Sequence, residues 1–127
     1  MRQALLQAGL DVALYAEHDS EAAIHFLNDR VRHGSFPSVV LLDWHLGKQC
    51  GDIFLRQLRA DPRFAAIPVA VFTTSDVSSD MAAGYACGAN SYVVKPGTFD
   101  GLVRCVGVMC RFWISCNMTP YPAETQC

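Results

Sequence analysis

What this chain does not have narrows its biology first. Just over half of its 127 residues are apolar, yet no uninterrupted apolar stretch approaches the roughly 18 residues of a membrane span. There is no basic surplus: ten Lys and Arg against twelve Asp and Glu leave a formal charge of −2 and a pI near 6.0. Charge therefore favours neither nucleic acid nor a membrane surface. The six cysteines (Cys50, Cys87, Cys105, Cys110, Cys116 and Cys127) form no Cys-x-x-Cys pair and have no companion histidine spacing for zinc. They read as reduced thiols, with Cys105 and Cys110 as small hydrophobes on an apolar helix. Met1-Arg2-Gln3-Ala4 opens a polar-flecked helical pattern, not the apolar centre of a signal peptide. The expectation is a soluble, cytoplasmic, one-domain protein with no nucleic-acid or membrane partner.

What is present is a repeated design. Three apolar runs each stop on a reactive polar residue: Val39-Val40-Leu41-Leu42-Asp43, Val69-Ala70-Val71-Phe72-Thr73 and Tyr92-Val93-Val94-Lys95-Pro96. Continuous Val-rich runs of this length read as strands of a parallel sheet buried on both faces. In such sheets the ligand crevice lies outside the carboxyl ends of the strands. A carboxylate, a hydroxyl and an ammonium thus converge on one edge. The trio suits a phosphoryl group, with Asp43 as nucleophile or acceptor, Thr73 as donor to a phosphoryl oxygen and Lys95 as cationic clamp.

The rest of the chain alternates around these runs. Helices are expected over residues 2–8, ended by Gly9, and from a cap at Asp19 or Ser20 to near Gly34. Another carries Ile53, Phe54, Leu55 and Leu58 and stops before Asp61-Pro62. The last two run over about residues 78–87 and 99–114. A further strand is expected over residues 12–16. Strict alternation of this kind is a doubly wound α/β pattern.

At this point the chain resembles a response-regulator receiver domain of two-component signalling, from about Val12 to Trp113. Asp43 stands where the family has its phosphoacceptor, thirty residues before the hydroxyl position, Thr73, with Lys95 in the Lys-Pro motif and Tyr92 at the aromatic switch. The loop Asp43-Trp44-His45-Leu46-Gly47-Lys48-Gln49-Cys50-Gly51 is similar to Asp-x-x-x-Pro-x-x-Asp-Gly, with Gly47 for Pro and Cys50 for the second Asp. Phe72-Thr73-Thr74-Ser75-Asp76, Gly88-Ala89-Asn90-Ser91-Tyr92 and Phe112-Trp113-Ile114 with Pro120 resemble the phytochrome-associated single-domain subgroup. The resemblance implies a flavodoxin-like receiver fold over residues 1–115 and a C-terminal tail over 116–127. It implies phosphoryl transfer from a sensor histidine kinase to Asp43, with output through the last helices and a possible homodimer face on the C-terminal helix region. It also implies a cis Lys95-Pro96 bond, and a Mg²⁺ ion held by Asp43, the backbone carbonyl of His45 and an acidic pair.

That acidic pair belongs to a first, central strand, and here Met1 already stands in the first helix. The expected fold is thus a receiver sheet with its central strand missing and its Mg²⁺ site incomplete, since a hard ion offered one carboxylate binds weakly. Truncation is the favoured explanation, and poor stability with a tendency to associate the expected consequence. The alternative function is a degenerate receiver acting as a phosphorylation-independent interaction module. An enzyme of the haloacid-dehalogenase type needs a second Asp two residues after the first, and His45 in that place argues against it.

Overall fold

The computed structural model describes residues 1–10, 13–46 and 49–121. Helix α1 (Arg2–Gln7) ends at Gly9, whose φ of +74° suits glycine. Helix α2 (Ser20–Arg32) starts at Asp19, whose carboxylate accepts from the Ala22 amide at 2.7 Å. Strand β1 (Val40–Leu42) leads into a small hairpin of β2 (His45–Leu46) and β3 (Gln49–Cys50). Helix α3 (Asp52–Ala60) stops at Asp61, held extended before Pro62. Strand β4 (Val69–Thr73), helix α4 (Ser78–Ala86), strand β5 (Ser91–Val94) and helix α5 (Phe99–Cys110) complete the alternation. The last helix does not run on as α-helix to Ile114; it passes into a π-helical segment, Arg111–Cys116.

The main sheet has the order β1-β4-β5, all parallel. Its central strand shows why an unbroken apolar run was needed. Val69 and Val71 face a core with Leu27, Trp44, Phe54, Leu55 and Leu58, whereas Ala70 and Phe72 face a second core with Leu5, Val106 and Met109. Helices α2 and α3 thus cover one face and α1 and α5 the other, the doubly wound arrangement of a flavodoxin-like fold. Asn90 locks the register: its side-chain oxygen accepts from the Val69 amide at 2.8 Å and from Arg59 at 2.9 Å. Beyond the last strand pair, the Lys95 amide donates to the Thr73 carbonyl at 2.7 Å, which sets Lys95 beside Thr73.

Two expectations about the backbone are corrected. The strand expected over residues 12–16 does not form: residues 13–16 join no sheet, and Val12 lies outside the described residues. A strand exists through its hydrogen-bonded neighbour, and in the flavodoxin-like order the neighbour of this segment is a central strand that none of the described residues form. The Lys95-Pro96 bond is also not cis, since the described residues contain no cis peptide; trans is the ordinary preference of X-Pro bonds. The segment read as a tail is anchored in its first half. Tyr121 stacks on Phe36 with ring centroids 4.2 Å apart, and its hydroxyl accepts from the Ala66 amide at 3.0 Å. Cys127 lies outside the described residues.

Candidate phosphoacceptor site

At the carboxyl ends of the parallel strands the three residues singled out from sequence meet. Thr73 is fully buried, and its hydroxyl donates to Asp43 Oδ1 at 2.9 Å. The Lys95 ammonium reaches Asp43 Oδ2 at 3.3 Å. The backbone amide of His45 donates to Oδ1 at 3.1 Å, the geometry of an Asp side chain folded back over its own turn. The sheet itself explains this convergence, because β1, β4 and β5 are parallel neighbours that end level, and each ends on or just before its reactive residue. Trp44, almost fully buried, fixes the chain immediately after Asp43. Gly51 lets the start of α3 come close: a Cβ there would stand 3.0 Å from the Asp43 carbonyl oxygen.

The electrostatics follow from these contacts. Partial burial pushes the Asp43 carboxyl upward, but the His45 amide, the Thr73 hydroxyl and the Lys95 charge outweigh it, and the group lies below the ordinary carboxylate value. Asp43 is therefore an anion at neutral pH, with 36 % of its side chain open to solvent. An ionised, accessible oxygen beside a hydroxyl donor and a cation can attack an electrophilic phosphorus and have the incoming charge neutralised. Burial pushes the Cys50 thiol up, so it stays protonated.

Among the described residues the donor set does not suit a divalent metal. Mg²⁺ requires near-octahedral oxygen coordination, and among the described residues there is no group of three or more His, Cys, Asp or Glu side chains placed to hold an ion. Both Asp43 oxygens already accept from protein donors, one of them from an ammonium.

Two features escaped sequence reasoning. The His45 side chain is 58 % exposed, and its Nε2 lies 3.1 Å from Asp80 Oδ2. Asp80 was not singled out at all, because an acidic residue in the first turn of a helix reads as an ordinary complement to the helix dipole. It also accepts from the Ser75 hydroxyl at 2.6 Å. Tyr92 does not pack outward. Its hydroxyl donates to the Ser75 carbonyl at 2.9 Å and its ring lies against Gly84, where a Cβ would come within 3.2 Å of it.

Comparison with known proteins agrees with this geometry. The family model for the response regulator receiver domain matches residues 1–106. A probable methanogenesis regulatory protein of Methanothrix harundinacea, FilR2, is 39 % identical over 108 residues, covering 83 % of this chain and 68 % of that one. Response regulator Rcp1 of Synechocystis is 29 % identical over 122 residues, covering 94 % of this chain and 83 % of its own. The crystal structure of the phosphorylated cyanobacterial phytochrome response regulator RcpA superposes with a TM-score of 0.80 at 26 % identity, over 94 % of this chain and 89 % of that chain. The parallel sheet, the carboxylate at its edge and these likenesses lead to one assignment: the chain belongs to the response-regulator receiver-domain family of two-component signalling.

Proposed function

We propose that this receiver accepts a phosphoryl group on Asp43 from a sensor histidine kinase and signals through a changed association surface, acting as a phosphoacceptor and not as a turnover enzyme. The convergence of Thr73 and Lys95 on the Asp43 carboxylate carries the proposal. An Asp43 oxygen attacks the phosphorus of the kinase phosphohistidine; the P–O bond forms as the P–N bond breaks, and the imidazole leaves with its electron pair and takes a proton. Lys95 balances the added charge, and Thr73 redirects its hydroxyl from the carboxylate to a phosphoryl oxygen. A kinase partner is supported by the likeness to a phytochrome response regulator. The output surface is the α4-β5-α5 side, where Tyr92 sits; Phe99 and Val108 of α5 and Phe112 just after it leave apolar area exposed. A second copy of the chain is the natural occupant of that side.

A metal-bound form of Rcp1, 30 % identical with a TM-score of 0.78 over 96 % of this chain and 88 % of that chain, carries Mn²⁺. The residues described in this chain do not reproduce such a site, so no step is assigned to a metal. That deficit favours a second reading, a receiver working as a phosphorylation-independent interaction module. The switch contacts support it too, because the bare Asp43 carboxylate already holds Thr73 and Lys95, and Tyr92 is already seated on Ser75. Labelling of Asp43 by a small phosphodonor separates the two: stoichiometric incorporation supports the acceptor, and none in a folded chain supports the module.

A further inference from the structure

Beside the acceptor runs a polar chain that phosphoryl transfer does not use. His45 Nε2 lies 3.1 Å from Asp80 Oδ2, Ser75 Oγ donates to that same oxygen at 2.6 Å, and the Ser75 carbonyl accepts from the Tyr92 hydroxyl at 2.9 Å. The chain joins four segments: β2, the stretch between β4 and α4, α4 itself, and β5. Asp80 is the member that both others need. It is the third residue of α4, where a carboxylate ordinarily serves its own helix N-terminus, but both side-chain contacts recorded here leave the helix. Ser75 is likewise used at both ends, its hydroxyl by Asp80 and its carbonyl by Tyr92, while its Oγ also accepts from the Val77 amide at 3.3 Å.

We propose that Asp80 is a positioning residue for the switch: by accepting from Ser75 and His45 it fixes the Ser75 turn, so that the Ser75 carbonyl stands where the Tyr92 hydroxyl binds. A free peptide turn would offer that carbonyl in many directions. Held at the Ser75 hydroxyl by a carboxylate that His45 itself steadies, it offers one. Asp80 thereby sets the resting balance between seated and unseated tyrosine, and ties that balance to the loop that carries Asp43. The inference rests on the reading of Tyr92 as the switch; the contacts themselves do not depend on phosphorylation.

The test uses the full chain labelled with 3-fluorotyrosine and read by ¹⁹F NMR, with the Tyr92 resonance assigned from Tyr92→Phe. Asp80→Ala is expected to move the Tyr92 resonance toward that of exposed Tyr85, with about a tenfold fall in the ratio of seated to unseated ring, the scale of one hydrogen bond to a charged group. Asp80→Asn keeps an oxygen that accepts from Ser75 and is expected to restore most of the seated signal. Tyr15 and Tyr121 lie elsewhere in the fold and report that it is intact. Should Asp80→Ala fail to fold, Ser75→Ala removes the same bond from its other end and decides the matter. An unmoved Tyr92 resonance in the folded variant overturns the proposal and leaves Asp80 as an ordinary helix-end carboxylate. No phosphodonor is involved, so an unlabelled Asp43 and an unmoved Tyr92 are separate failures.

Discussion

Asp43 keeps its charge against partial burial because the His45 amide, the Thr73 hydroxyl and the Lys95 ammonium all point at it. Its folded-state pKa lies below the ordinary carboxylate value, so the stabilisation it brings is fully present above that ordinary value and is lost as pH falls through the lower folded value. Asp61 and Asp80 share this direction, through Arg63 and Ser75 respectively. Urea midpoints recorded from about pH 5 down to pH 2 are expected to fall more steeply for the parent than for Asp43→Asn; parallel curves would show that the three donors do not favour the anion. Lys95→Met keeps the apolar stem and removes the charge. Phosphoryl uptake from a small donor is expected to slow about 10²-fold, the scale of one preorganised donor to a developing anion, and an unchanged rate would remove Lys95 from the chemistry. At this scale the sequence displayed Asp43, Thr73 and Lys95 plainly, because each closes an apolar strand. Asp80 was illegible there: its partners, His45 and Ser75, come from two other segments, and only the folded chain brings them to one oxygen.

At the scale of elements, legibility followed the source of each element's stability. Strand β4 and helices α2 and α3 carry their own signals: a two-faced apolar run, an Asp cap, and an apolar stripe ended by Asp61-Pro62. They appear within a residue or two of the expected bounds. The segment over residues 13–16 has the same apolar look, but a strand also needs a hydrogen-bonded neighbour, and local pattern does not report whether one stands beside it. The π-helical end of α5 is similarly invisible, because it depends on backbone pairing and not on residue type. The core beneath the site offers a check on packing. Leu58 of α3 is fully buried among Phe54, Phe64 and Val69, so Leu58→Ala is expected to cost about 2–5 kcal/mol by transfer and cavity terms together. A loss under about 1 kcal/mol in equilibrium denaturation would mean that this core is loosely packed.

Across the whole molecule, the consequence of a three-stranded sheet is an open side. Val40 directs its amide to the Pro68 carbonyl, toward β4; backbone groups alternate sides along a strand, so those of Leu41 face the other way. There a groove of about 350 Å³, lined by Leu14, Tyr15, Phe26, Val39 and Leu41 among others, separates β1 from the unpaired segment over residues 13–16. Exposed strand edges beside apolar surface promote association. Light scattering over a concentration series is expected to show mass rising with concentration, whereas a monodisperse monomer with a sharp cooperative melt would show that the fold closes without help. The open side does not reach the acceptor contacts, which are built at the carboxyl ends of β1, β4 and β5 and at the first residue of β2, and the site's chemistry can therefore be tested directly. The decisive measurement is the intact mass of the folded chain after incubation with acetyl phosphate, with and without Mg²⁺, beside Asp43→Asn. One phosphoryl increment on the parent and none on the variant is the expected result. A folded parent that gains no mass, or a variant that gains as much, would contradict the assignment of Asp43 as a working phosphoacceptor.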